Sequence, residues 1–161
     1  MPILHLQLSG EGLTPDGRTV TIPHAVALQQ RGPVVQVSVT VEETIARTLA
    51  EQGRELPTPL TGLGLIDTGA SVTCIDEEAA RRLGLPVIDV ERMSSATHAQ
   101  VDRNVYPIQV EVIGFPIRLQ APRAIGAELS PQGLLLLIGR DVLQICTLFY
   151  NGPTGELTLS I

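Results

Sequence analysis

Two short apolar runs in this chain each end abruptly at a polar triplet. Leu63-Gly64-Leu65-Ile66 runs into Asp67-Thr68-Gly69, and Leu134–Ile138 runs into Gly139-Arg140-Asp141. Runs this short, bounded by glycine, have the length of buried strands and fall far short of a membrane span. The chain must therefore place an Asp, and later an Arg-Asp pair, at the edge of a core on two strand ends. An Asp in that position is poorly hydrated, so its ionised form needs hydrogen-bond donors nearby. Thr68 offers a hydroxyl, and Gly69 lets backbone approach closely. Taken alone, the first triplet reads equally well as an Asp capping a turn. The second, taken alone, reads as a strand entering an N-capped helix.

The remaining pattern is mainly β. The 161 residues suit one domain, and 43% of them are hydrophobic, enough for a real core. The aromatic residues are Tyr106, Phe115, Phe149 and Tyr150, so that core must be built from Leu, Ile and Val. Residues 1–30 read as short strands and turns: Ile3–Leu8, a Pro15-Asp16-Gly17 turn, then Thr19–Ile22. Val34–Val41 alternates with β-branched residues, as a strand does. Thr40 and Glu43 have capping-box spacing and predict a helix running to Gln52, with Gly53 past its end. Pro57 and Pro59 place a loop over Glu55–Thr61. Ser71–Ile75 reads as another buried strand. Asp76 then caps a second helix, with Glu77 and Glu78 in its first turn, Arg81 and Arg82 in its last, and Gly84 beyond. Val87–Leu119 returns to strands turned around Gly114. Gly139–Ile145 holds a short helix, and Thr147–Tyr150 with Glu156–Ile161 forms a terminal hairpin. Two ordinary helices and one short one thus accompany many strands.

Composition excludes several function classes. The net charge is −6 and no Lys/Arg block exists, so no nucleic-acid partner is expected. The start, MPILHLQLSGEG, lacks a basic segment followed by an apolar run. No membrane association is expected, and the expected compartment is cytoplasmic. Cys74 and Cys146 read as free thiols. His5, His24 and His98 are scattered without metal-ligand spacing, so neither a metal nor another cofactor is expected. Gly69-Ala70-Ser71-Val72-Thr73 lacks the last glycine of a nucleophile elbow. Gly62 and Gly64 lack the third glycine and following helix of a phosphate loop.

Taken together and in this order, Leu65–Ala70 and Leu137–Leu143 resemble the retroviral-type (retropepsin-like) aspartic peptidases. The helix at Glu77–Leu83 resembles their non-viral, bacterial members more than the viral ones. Ile145-Cys146-Thr147-Leu148 is similar to the end of a viral enzyme. The resemblance covers residues 60–161. It implies a retropepsin-like closed β-barrel, the single-lobe acid-protease fold, with two or three short helices. It also implies one domain over residues 1–161, with extra strands and a helix in residues 1–60. By the same resemblance Asp67 is the catalytic acid. The Thr68 hydroxyl locks two active-site loops across a dimer, Gly69 lets them pack, Gly139 and Arg140 support the loop from behind, and Ala70 and Asp141 belong to the active-site support.

The implied chemistry needs two carboxylates sharing one proton, about 3 Å apart, with apparent pKa values that belong to the pair. Only one D-T-G is present, and Asp16, Asp76, Asp89, Asp102 and Asp141 lack its context. A homodimer is therefore expected, with Asp67 from each copy. The final strand Leu157–Ile161 is the expected contributor to a four-stranded sheet between the copies. The flap is expected between Glu91 and Val105. Its tip falls near Ser94–Gln100, with Ser94, Ser95, Ala96, Thr97 and His98 toward a peptide or protein substrate. That tip lacks the glycine common in family flaps. Ser71 also stands where viral members often carry an acidic partner for the arginine. The alternative reading is a catalytically inactive, dimeric peptide-binding module on the same fold.

Overall fold

The computed structural model describes the backbone of residues 2–95 and 98–161 and the side chains of residues 2–93 and 101–161. The N-terminal third contains β1 (Ile3–Gln7), β2 (Gly10–Leu13), β3 (Thr19–Ile22), α1 (His24–Arg31), β4 (Val34–Val41) and α2 (Glu43–Glu51). The middle contains β5 (Leu60–Ile66), β6 (Cys74–Asp76), α3 (Glu77–Arg82), β7 (Asp89–Ser95), β8 (His98–Val112) and β9 (Ile117–Ala127). The chain closes with β10 (Leu136–Ile138), α4 (Arg140–Leu143), β11 (Thr147–Asn151) and β12 (Glu156–Ser160).

Alternation in β4 sends Val35, Val37, Val39 and Val41 to one buried face. Glycines 62 and 64 of β5 lie opposite Val37 and Val35; the room they leave is filled by Leu135 and Val37. β10 runs parallel to β5, while β6 pairs antiparallel with β10 and parallel with β9. The long β8 pairs with β9, and its last residues return to β4, from Val112 opposite Val37 to Ile108 opposite Val41. Six strands thereby close into a barrel in the order β4-β5-β10-β6-β9-β8, with β7 added outside β8. Closure leaves no open edge among those six. Ile75, Ile108, Ile117, Leu119, Leu136 and Ile138 fill the interior, and Tyr106 is the large aromatic buried with them. The chain is thus a mainly β closed barrel, as the resemblance implies. Among the described residues no helix is long and apolar enough to cross a membrane.

Several local expectations change. Among the described residues the structure has four α-helices. The one not foreseen, α1, has Pro23 at its N-cap position with no side-chain cap and no acidic first turn, so the usual start signals are missing. Packing forms it instead: Ala27 and Leu28 bury against Leu8, Ile22 and Val34. Thr40 does not begin α2, because β4 continues to Val41 in register with β8. Glu42 takes the capping role, its carboxylate accepting from the Thr44 and Ile45 N–H groups. The strand foreseen from Ser71 starts only at Cys74, since the preceding residues bond elsewhere.

The C-terminal hairpin joins β1 in a separate sheet of order β1-β12-β11. β12 is its central strand, paired along its whole length on both sides. Within one copy Leu157–Ser160 therefore has no free edge, and among the described residues the free edges of this sheet belong to β1 and β11.

One buried carboxylate ties the barrel to its helical insertion. Asp76 is 6% exposed; it accepts from the N–H of Ala79 (3.1 Å), Leu129 (3.0 Å) and Ser130 (2.9 Å). Burial pushes its pKa up, but the hydrogen bonds from Ser130, Ala79 and Leu129 outweigh that and hold it below the ordinary 3.8. A lowered native pKa gives stability that is present above the unfolded value and disappears as pH falls through the native one. Asp76→Ala should cost about 3 kcal/mol at pH 7 and lower Tm by roughly 6–12 °C. The gap between variant and wild type should narrow in acid below pH 3.8, as measured by thermal unfolding across pH.

Candidate active site

β5 and β10 run parallel and stop together, so both polar triplets emerge side by side at one end of the barrel. The Asp67 N–H donates to the Ile138 carbonyl (2.9 Å), continuing the strand pairing by one step. The chain then turns sharply. Asp67 Oδ1 accepts from the N–H of Gly69 (2.8 Å) and of Ala70 (3.3 Å). Both donors serve one oxygen; among the described residues Oδ2 has no hydrogen-bond partner. Asp67 itself is half-buried, and Thr68 and Gly69 are exposed at the loop tip. One carboxylate oxygen is thus held by backbone while the other remains open toward solvent.

The segment after β10 grips this loop from below. The Arg140 N–H donates to the Ala70 carbonyl (3.0 Å), and the Asp141 N–H to that of Ser71 (3.3 Å). The Arg140 guanidinium donates through Nη1 to the carbonyls of Thr68 (2.7 Å) and Gly69 (3.1 Å). With Ser71 in place of an acid, those carbonyls are its partners within the chain. Gly139 lies against the loop backbone. A Cβ there would sit 2.5 Å from the carbonyl carbon of Val72 and 2.8 Å from the Thr73 nitrogen. Its φ of −87° is open to any residue, so space alone requires the glycine.

A residue not singled out from the sequence completes the arrangement. Thr73 is fully buried; its hydroxyl accepts from the Gly139 N–H (3.0 Å) and donates to Asp141 Oδ1 (2.8 Å). The Ile125 N–H donates to its carbonyl, tying the loop to β9 (2.9 Å). A β-branched polar residue inside an apolar stretch, six positions after Asp67, was the available signal.

Comparison with known proteins agrees with this geometry. The family model of gag-polyprotein putative aspartyl proteases matches residues 63–144, a stretch carrying both triplets. The chain belongs to this retropepsin-like aspartyl protease family. No curated protein matches it. A retropepsin-like aspartic protease from Rickettsia conorii is similar in structure, with a TM-score of 0.45 and 12% identity. That likeness covers 98% of this chain and 92% of the other. β4, which lies upstream of the matched stretch, nonetheless supplies a barrel wall.

In this aspartyl protease chain, β7 and β8 form the hairpin expected to be the flap, with Ser95 paired to His98 in backbone register. Ser94 lies at the end of β7. Ala96 and Thr97 fall outside the described residues, as do the side chains of Ser94, Ser95 and His98. Asp67 and Thr68 share a cavity of about 520 Å³ with Arg31, Leu65, Leu148 and Tyr150. A larger cavity of about 750 Å³ adjoins it, between the β1 end and β4–β5, and does not reach Asp67. The chemistry belongs with the smaller one. Among the described residues no three His, Cys, Asp or Glu side chains cluster as a metal site would require.

Cys74 reports on the charge at the site. Burial, then Asp141 and Asp67, push its thiol up to about 11. At pH 8 it should hold roughly 100-fold less thiolate than an ordinary thiol and alkylate correspondingly slowly with iodoacetamide. Asp67→Asn should speed that reaction, as followed by mass spectrometry. Gly139→Ala should lower unfolding free energy by about 3 kcal/mol, because backbone on both sides must move. Denaturant titration measures that loss.

Proposed function

We propose that the chain is an aspartic endopeptidase, hydrolysing peptide bonds with a water held between Asp67 and Asp67 of the partner subunit in a homodimer. The observation that carries this is the asymmetric solvation of Asp67. One oxygen is fixed by the Gly69 and Ala70 N–H groups, while the other lacks a partner among the described residues. A carboxylate held this way is oriented and still free to share a proton across a two-fold axis.

In the reaction the ionised member of the pair takes a proton from the water as its oxygen attacks the scissile carbonyl carbon. The protonated member donates to the carbonyl oxygen, giving a neutral gem-diol. Proton transfer to the amide nitrogen then lets the C–N bond break, leaving a carboxylic acid and an amine. Thr68, exposed at the tip, reaches across to the partner's loop. Gly69, Ala70, Gly139, Arg140 and Asp141 hold the loop rigid, which keeps reorganisation small during charge transfer. An extended peptide lies beneath the β7–β8 hairpins and pairs with backbone edges as an added strand.

Asp67→Asn leaves the fold and the Gly69 and Ala70 contacts possible but removes the shared proton. It should reduce cleavage of a peptide library by at least ~10³-fold with Tm within a few degrees of wild type. Equal cleavage by both proteins would refute the assignment. A peptide-binding module without turnover would instead bind the same peptides and cleave none from pH 3 to 8.

A further inference from the structure

The outer face of the barrel wall beside Asp67 is apolar where alternation would place polar side chains. Val34 lies opposite Leu65, and Gln36 opposite Leu63. Val35, Gly62 and Gly64 turn toward the interior, so those four side chains stand outside. Val34, Leu63 and Leu65 are only partly buried there. They floor the groove of about 750 Å³. Ile113 and Phe115, from the turn between β8 and β9, line its side. The Ile113 N–H donates to the Gln36 carbonyl (2.9 Å), which fixes that side against β4. Ile113 itself is 44% exposed. Apolar surface left open in a concave site of this size is what a ligand covers.

Arg31 stands where this groove meets the cavity of Asp67. It lines both, together with Gln30 and Leu65. Its place is set by the residues after it. Gly32, at a φ of +72°, ends α1 with its N–H on the Leu28 carbonyl (3.0 Å). The Pro33 carbonyl then accepts from the N–H of Ile66, the residue before Asp67 (3.0 Å). Among the described residues Arg31 has no ion-pair partner. It is also the one charged side chain among those lining the groove, and Asp67 is the other charged one in the smaller cavity. An unpaired guanidinium favours an anionic group, in a chain whose net charge of −6 otherwise repels one. Gln7, Gln36 and Gln132 add carboxamides at the groove, which donate and accept as a peptide backbone does. We infer that the groove holds a flank of the peptide cut at Asp67, with an acidic side chain on Arg31 and an apolar one, two residues farther out, on Val34, Leu63 and Leu65. This rests on the proposed function above. Alternate residues of an extended chain face the same side, which sets the two-residue spacing. Arg31 and Val34 lie upstream of the stretch that the family model matches, so this preference is written in the N-terminal third.

The probes are a capped apolar hexapeptide and the same core extended by Glu-Ala-Leu at its C-terminus or Leu-Ala-Glu at its N-terminus. A matched pair carries Lys in place of Glu. Binding is read by fluorescence anisotropy in the Asp67→Asn background, and kcat/KM with Asp67 intact. Thermal unfolding is the folding control for each variant. At least one Glu extension should bind roughly 10-fold tighter than the core and be cleaved with a matching gain, and its Lys counterpart should fall about 5-fold short of it. Arg31→Glu should reverse the order of the Glu and Lys peptides, and the milder Arg31→Gln should erase it. Ile113→Glu, which sets a charge beside the apolar floor, should remove most of the gain from the extension. Glu and Lys extensions that wild type treats alike, or an order unchanged in folded Arg31→Glu, would overturn the inference. So would an Ile113→Glu protein that loses dimer mass in sedimentation yet binds every peptide as before, since a second copy would then fill the groove. The expected order and its reversal in binding, with no cleavage in any sample, support the groove and remove the peptidase reading instead.

Discussion

The buried hydroxyl of Thr73 ties the start of β6 to the segment that follows β10. It accepts from the Gly139 N–H and donates to Asp141, while the Thr73 carbonyl takes the Ile125 N–H. The start of β6, the end of β10 and β9 are thereby tied together at the end where Asp67 emerges. The lock holds because it is fully satisfied: a buried hydroxyl with both of its roles filled strengthens a structure that a half-filled one would weaken. The position of Gly139 follows from it. The bond to the hydroxyl draws that residue so close to Val72 that no Cβ fits. Arg140 can then reach the Thr68 and Gly69 carbonyls, and its charge strengthens those contacts. The orientation of the Asp67 carboxylate is thus set from residues well away from it in sequence.

The barrel and the loop divide the work. The barrel interior is aliphatic, with β-branched and leucine side chains that have few rotamers and pack densely. It supplies rigidity without polar groups that would need partners. Among the described residues the buried polar side chains are Thr73, at the loop end, and Asp76, at its junction. At each, backbone N–H groups satisfy a carboxylate. At Asp76 three donors on a nearly buried acid hold its pKa below the ordinary value. At Asp67 two donors serve one oxygen only. The contrast separates a carboxylate that locks structure from one left free for proton exchange.

Much of this was readable from the residues. β4 was plain from Val34–Val41, whose alternation leaves one face for the core. The Asp76–Arg82 helix carried its cap and both charged ends in sequence. Both triplets were visible; each alone also fits an Asp-capped turn or a strand entering a helix, and their order together carried the reading. What escaped depended on tertiary contacts. α1 lacks caps and forms because Ala27 and Leu28 find Leu8 and Val34. The Thr40–Glu43 spacing matched a capping box, but pairing of Val41 with Ile108 kept that stretch in the strand. Thr73 sits in what looked like a continuous strand, and its role appears only when Gly139 and Asp141 are beside it. The central place of β12 depends on β1, distant in sequence, so no local pattern announces it.

That placement of β12 bears on how a half-site becomes whole. A chain with one active aspartate must present it next to a surface that a copy can recognise. An interface made by exchanging terminal strands would leave each monomer with unpaired termini until it met its partner. Here β1 and β12 complete the terminal sheet within the monomer, and Leu4, Leu157 and Leu159 are sealed already. β1 and β11 keep open edges, and β11 is the one that shares a cavity with Asp67. The barrel core is therefore complete within one copy. Under the proposed homodimer, activity depends on protein concentration, whereas stability of the barrel does not.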